Sequence, residues 1–287
     1  MSPKKQQIIN AAFSLFISKG YIASSIQDIL DVAGVSKGTF YNYFTSKTEC
    51  LIAIMESIGS EIRQKRMAAA VGKSIDDPQL LAEQLCIRIE LNRQKNLFAL
   101  YESIFYAQDE ELKKFARDTY ISELEWISSR IIDVFGKEAE PYALDNAAVV
   151  HGSVQQLIHM WKICSKDDLP TNELSAFVIR RLKAAVTLQI KTGDRFIQEK
   201  TISTMKPLED ISLQELSMKL KVASESFHEE EDDDTNQLIA FLVDELVAPS
   251  PRKILIESVL STLANNNNTY EPDLVILLEQ VWKQFQK

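Results

Sequence analysis

The sequence predicts an all-α protein, and three observations carry that reading. Apolar residues recur at three- and four-residue spacing along almost the whole chain, with no convincing period-two stretch. Proline and glycine number only eight each in 287 residues, so helix breaks are few. Several apolar runs are preceded by serine, threonine or aspartate in helix-capping positions. A hydrophobic content of 45% is enough for a real core, and 25% charged residues is ordinary for a soluble globular protein.

The first helix spans about 4–18, with Ile8, Ala12, Leu15 and Phe16 on one face, and Lys19-Gly20 ends it. Ser25 caps a second helix and Asp28 completes a capping box; Ile26, Ile29, Leu30 and Ala33 face inward. Gly34 supplies a positive-φ turn, Val35 fills the angle, and Ser36 caps a third helix whose Phe40 and Phe44 pack back on the first two. Ser46 with Glu49 reads as another capping box, opening a helix over about 47–70. After a break at Gly72–Asp77, Asp77-Pro78 starts the next helix. Helices are expected at about 78–94, 96–107 and 109–135, the last with Leu124, Ile127, Ile131 and Val134 in one stripe. Gly136–Pro141 breaks the chain. A long helix over about 141–165 carries Ala143, Ala147, Val150, Val154, Leu157 and Trp161, and Thr171 caps another over about 172–191. These two apolar stripes are expected to need a partner.

From Thr192 the character changes. Ser212 and Glu215 cap a short helix to about Val222, and Glu229–Asp234 is a run of six acids that reads as a solvated loop. Three further amphipathic helices follow at about 235–247, 250–264 and 272–286, too apolar to be free tails. The expected division is therefore a head at 1–48, a helical body at 49–192, and a C-terminal extension at 193–287 that packs on the body.

Net charge is −9, which at first argues against a nucleic-acid partner. Its distribution reverses that. Residues 1–50 hold five lysines against three acids, a net +2 that leaves −11 for the rest. The three cysteines, Cys50, Cys86 and Cys164, are far apart and form no CxxC, as expected of thiols in a reduced cytoplasm. His151, His159 and His228 do not cluster at metal-ligand spacing, so no metal and no cofactor is expected. No run of 18 uninterrupted apolar residues occurs, and the N-terminus lacks the pattern of a signal peptide; no membrane partner is expected. No G-x-S-x-G, HExxH or phosphate-loop pattern appears, and paired acids such as Glu110-Glu111 suit helix starts, so an enzyme is not expected.

The stretch from Ser24 to Phe44 carries the chemistry. A short helix presented after a glycine turn offers its first turn to base edges in the major groove and its flanks to phosphates. Lys37 and Thr39 are placed to reach bases, and Gly38 lets the helix approach closely. Tyr41 and Asn42 are donors suited to phosphate oxygens. Ser25, Ser36 and Lys47 sit at helix starts, where anions are held. The head contains no arginine, so Lys37 takes the part that bidentate arginine plays at guanine elsewhere.

Residues about 4–52 resemble the N-terminal domain of the TetR family of bacterial transcriptional regulators. The matching residues are Ser25-Ile26 and Asp28-Ile29, then Ala33-Gly34-Val35-Ser36-Lys37-Gly38-Thr39-Phe40-Tyr41 with Tyr43-Phe44, then Ser46-Lys47, Glu49 and Leu51. Leu30 departs from the alanine frequent there, and Asn42 from the frequent histidine. The resemblance implies a homodimer closed by the two helices at about 141–165 and 172–191. It also implies a small-molecule effector that enters among the middle helices and changes the spacing of two heads on a double-stranded DNA operator. Phe98, Tyr101, Phe105, Phe115 and Trp126, with His151, Gln155 and His159 on one helix face, are the expected pocket residues. The reading is a DNA-binding repressor released by a small molecule. Two alternatives are an architectural or division-linked DNA-binding protein whose extension recruits a protein, and a ligand-binding or enzymatic protein with a vestigial head.

Overall fold

A computed structural model describes residues 2–97, 100, 109–197, 212–225, 233–266, 270 and 272–285. Among them there is no strand. The helices are α1 (Pro3–Ser18), α2 (Ile26–Ala33), α3 (Lys37–Tyr41), α4 (Lys47–Ala70), α5 (Pro78–Gln94) and α6 (Glu110–Phe135). A 3-10 turn (Lys137–Tyr142) leads to α7 (Ala143–Cys164) and α8 (Thr171–Thr192). The extension supplies α9 (Leu213–Glu225), α10 (Asp233–Leu246), α11 (Lys253–Asn265) and α12 (Pro272–Gln284). Most of the expected 96–107 helix lies outside the described residues, as do residues 229–232 of the acidic run. Its last two acids are not loop: Asp233 and Asp234 form the first turn of α10, where negative charge favours the helix.

The chain divides into two compact units. The first contains 1–71, 91–115 and 210–287, and so joins the N-terminal helices to the extension. Its N-terminal part closes over Ile8, Ala12, Phe16, Ile29, Phe40, Phe44 and Leu51. Leu15, expected inside, is half-buried, while Ile9 and Ala11 are buried instead. The extension does pack on the body, and specifically on one helix: α11 and α12 both lie against α4, and α9 packs on α10 and α12. Leu216, Leu220, Ile239, Leu242, Ile256, Leu260, Leu274 and Leu278 are among its fully buried residues. Arg252 closes the turn between α10 and α11, where its backbone N–H (2.6 Å) and guanidinium (3.0 and 2.6 Å) donate to the Glu245 carboxylate.

The second unit contains 72–90 and 116–209. Its core takes Leu81 and Leu85 from α5, Leu124, Ile127 and Ile131 from α6, Ala143, Ala147 and Val150 from α7, and Val178, Leu182 and Val186 from α8. Arg130 is buried within it and satisfied: it donates to Gln84 (3.0 Å), Asp133 (2.8 Å) and the Ile75 carbonyl (2.9 Å). α7 and α8 are antiparallel, since Asn146 near the start of one donates to Gln189 near the end of the other (2.6 Å).

Three sequence expectations need correction. Thr171 does not cap α8: it is the first helical residue, Pro170 precedes it, and its hydroxyl donates to the Glu90 carboxylate. Ser46–Glu49 is half a capping box. Ser46 Oγ accepts from the Glu49 N–H (3.0 Å), but the Glu49 carboxylate turns to the N–H and hydroxyl of Thr45 (2.5 and 2.6 Å). Finally, the stripe from Ala143 to Val150 does not await a partner, because it is spent inside the second unit. A different face of α7 and α8 is left open.

Candidate nucleic-acid interface

α2 is built by its caps. Ser25 Oγ accepts the Asp28 N–H (3.1 Å), and the Asp28 carboxylate accepts the Ser25 N–H and hydroxyl (2.7 Å each). Lys19 Nζ adds a 2.9 Å ion pair to the same carboxylate. These donors hold the Asp28 carboxyl far below the usual carboxylate range, the Lys19 bond first and the Ser25 bonds after it. Gly34 ends α2 at φ +61, a conformation in which a side chain would be strained. Its N–H reaches the Leu30 carbonyl, and Gln7 from α1 donates to the Ala33 carbonyl (2.7 Å). The C-terminus of α2 is therefore satisfied from inside the head.

The turn delivers α3 with its first turn facing out. Ser36 caps it through the Thr39 N–H (3.1 Å), and the two hydroxyls lie 2.9 Å apart. Phe40 is fully buried and Phe44 nearly so, which anchors the short helix on the core. Lys37, Gly38, Tyr41 and Asn42 are exposed, and Thr39 is half-buried. Lys37 Nζ sits 5.9 Å from the Tyr41 ring centroid. Gly38 has no reason inside the head: a Cβ there would meet only Ser36 Oγ, at an ordinary 3.8 Å.

Lys47 is placed differently. Its ammonium donates to the Tyr21 carbonyl (2.8 Å) and the Ser24 carbonyl (2.7 Å) and lies 4.3 Å from the Tyr21 ring centroid. Burial pushes its pKa down, against the pull of Asp28. It braces the loop between α1 and α2, with at most one N–H left to give. Ser25 is likewise engaged: an anion at the start of α2 has to compete with Asp28 for the same donors.

Sequence reasoning missed a buried hydrogen-bond chain behind the head. Tyr21 and Thr48 hydroxyls lie 3.0 Å apart, and Thr48 donates to Asp109 (2.7 Å). Asp109 in turn caps α6 through the N–H groups of Glu111 (3.0 Å) and Leu112 (3.1 Å). The Thr48 and backbone donors pull its pKa down. No sequence signal links positions 21, 48 and 109, because the pairing is tertiary. Ser2 and Tyr43 hydroxyls also meet at 3.0 Å.

Of the expected effector residues, Phe98, Tyr101 and Phe105 lie outside the described residues. Phe115 is half-buried in the first unit. Trp126 belongs to the buried core of the second. His151 is half-buried on α7, edge-on to the Tyr120 ring at 5.1 Å. Desolvation lowers its pKa, Arg88 lowers it further, and Glu123 opposes. Arg88 and Glu123 are themselves paired at 2.5 Å. Gln155 and His159, on the same helix face, are exposed.

The open face of α7 and α8 lies nearby. Val149 is 62% exposed and Ile163 70%, with Met160 between them, and on α8 Leu188 is 61% exposed with Phe177 capped by Arg181 (4.9 Å). On α7, positions 149, 153, 156, 160 and 163 follow a four-three spacing. Among the described residues, no helix is long and apolar enough to cross a membrane.

A family model described as "Bacterial regulatory proteins, tetR family" matches residues 8–54. The chain is 26% identical over 272 residues to the uncharacterised HTH-type transcriptional regulator YerO of Bacillus subtilis (strain 168), covering 93% of this chain and 92% of that one. It is 24% identical over 209 residues to a second uncharacterised regulator from the same organism, YuxN, covering 68% and 67%. A crystal structure from Mesorhizobium loti MAFF303099, described as a candidate TetR-family transcriptional regulator, superposes at a TM-score of 0.49. It is 21% identical, with 64% of this chain and 96% of that one covered.

Proposed function

For this chain, a transcriptional regulator of the TetR family, we propose that it acts as a homodimeric repressor whose hold on its DNA operator is released by a small molecule. The observation that carries the proposal is the outward first turn of α3. There Lys37, Gly38, Tyr41 and Asn42 are exposed on a helix anchored from behind by Phe40, and Gly38 answers to no internal contact. In the proposed complex Lys37 and Thr39 read bases. Gly38 permits close approach, Tyr41 and Asn42 hold phosphates, and the helix start at Ser36 adds an anion contact, whereas Ser25 contributes one only where a phosphate displaces the Asp28 carboxylate from its donors. Lys47 contributes mainly by bracing the head.

A head that short, with a net charge of only +2, binds weakly by itself. A pair of heads on two half-sites supplies the affinity, which is why the open α7/α8 face matters. Two copies joined there bury Val149, Met160, Ile163, Phe177 and Leu188 in a four-helix seam. Repression is the simplest output, because occupying a promoter needs no further surface. Release then requires an effector that binds the DNA-incompetent arrangement more tightly than the competent one. His151, with the Arg88–Glu123 pair, is the polar group proposed to meet it.

The test is a mobility-shift titration on the DNA upstream of the chain's own gene. Wild type should give a sequence-selective shift, and Lys37→Ala should weaken it about tenfold or more. Native mass spectrometry should show a dimer, and any co-purified small molecule should dissolve the shifted band when added back. Normal operator binding by both Lys37→Ala and Tyr41→Ala would refute the assignment of α3. Retained binding with an unchanged transcript profile on deletion would instead favour an architectural role.

A further inference from the structure

α4 belongs to two packing systems at once. Its first turn is knit into the head: Ser46 caps it, Lys47 holds the Tyr21 and Ser24 carbonyls, and Thr48 bonds the Tyr21 hydroxyl. It also packs on α1 of the head and on α11 and α12 of the extension. Toward its far end Gln64, 9% exposed, donates from Nε2 to the carbonyls of Leu263 (3.3 Å) and Asn266 (3.1 Å). One side chain thus satisfies two carbonyls at the end of α11 that the helix leaves without intrahelical partners. The contact is specific, since both protons of one buried amide are used across about 200 residues of sequence.

A 24-residue helix is about 36 Å long and stiff compared with the loops around it. Whatever holds its far end therefore biases the attitude of its near end, and the near end is part of the head. On α12 the indole N–H of Trp282, 2% exposed, and the Gln280 side-chain oxygen are both buried without a hydrogen-bond partner among the described residues. Each such group costs stability, so α12 is held less firmly than its apolar burial alone would give.

We propose that helices α9–α12 form a clamp on α4 that holds the head in its DNA-competent attitude, so that loosening the clamp lowers operator affinity at a distance from the DNA. This input is separate from an effector in the second unit. It rests on the reading of α3 as the DNA-contacting helix. A loosened α4 leaves only a fraction of heads competent, and the apparent affinity falls by that fraction.

The experiment uses the full chain with Gln64→Leu and, separately, Leu260→Ala, each checked for folding by circular dichroism. Hydrogen exchange reports on α4 and α11, and binding is titrated on a labelled duplex from the chain's own upstream DNA. The expected result is faster exchange in α11 together with binding weakened on the order of three- to tenfold. Lys37→Ala, run alongside, should weaken binding with unchanged exchange. Faster exchange in α11 with wild-type binding overturns the clamp, and so does unchanged exchange in both variants. Normal binding by Lys37→Ala overturns instead the reading of α3 on which the clamp depends.

Discussion

Lys37 and Lys47 lie ten positions apart on one short head and do opposite jobs. Lys47 donates to two backbone carbonyls and covers the Tyr21 ring, so Lys47→Met takes the ammonium from the Ser24 carbonyl and leaves the Tyr21 carbonyl only the Ser24 N–H at 3.3 Å. The expected cost is about 1–3 kcal/mol, read as a lower thermal midpoint. Lys37→Ala should leave stability within about 0.5 kcal/mol of wild type, with the midpoint nearly unmoved, while weakening DNA binding. Equal midpoints for the two variants would refute this division. The head also rests on carboxylates. Asp28, Glu49 and Asp109 all have lowered pKa values because side-chain and backbone donors hold their charged forms. Asp109 owes its shift first to Thr48 and then to the backbone N–H groups that start α6. Each folded pKa lies below the unfolded value, so the stability they add is fully present above the ordinary carboxylate range. It is lost as pH falls through the folded values. Chemical denaturation from pH 7 downward should therefore show stability falling below about pH 4, with a shallower slope in Asp28→Asn; an unchanged slope would remove Asp28 from this account. The Ser25–Asp28 box was legible in the sequence because both partners lie within one helical turn. The role of Lys47 was not, because its acceptors at 21 and 24 reach it only through the tertiary fold.

At the scale of elements, periodicity located the helices but not the outward face of each. Along α7 the sequence shows an apolar stripe through Ala143, Ala147 and Val150, which fills the core of the second unit. The face that remains open runs through Val149, Met160 and Ile163, offset from the first and diluted by Ser153 and Gln156. Two stripes on one helix share the same period, so the period alone cannot tell which packs within the chain and which packs outside it. If the open face joins two copies, Ile163→Asp puts an unpaired charge into the seam. Sedimentation should then show a monomer at concentrations where wild type is a dimer, with an unchanged circular dichroism spectrum because Ile163 is exposed in the single chain. A dimer that persists in both Ile163→Asp and Leu188→Asp would place the interface elsewhere. The far C-terminal helices were legible as amphipathic segments, yet the polar contact that ties the end of α11 to α4 comes from Gln64, a residue with no apolar signal at all.

For the whole molecule the deciding quantity is where charge remains available. The sequence counts five lysines in the head, but Lys19 is paired with Asp28 and Lys47 is turned onto carbonyls. Lys4 and Lys37 are exposed, and Lys5 is half-buried beside the Phe44 ring. Counting those three for each head, Lys4 and Lys5 at phosphates and Lys37 as a cation in the groove, a dimer displaces the counterions of about six phosphates, and log K should fall against log salt with a slope of about −5. Ten lysines would give a slope of about −9. The body, at −11 per chain, adds no phosphate contacts but repels DNA that strays toward it, and salt screens that repulsion as well. Screening makes the measured slope shallower than the contact count alone gives, so a value steeper than about −7 cannot come from three lysines per head. Such a value would mean that Lys19 or Lys47 leaves its internal partners on binding, and Lys47→Met would then reduce the slope. If the slope is near −5 and Lys47→Met leaves it unchanged, the head meets DNA with its internal braces intact.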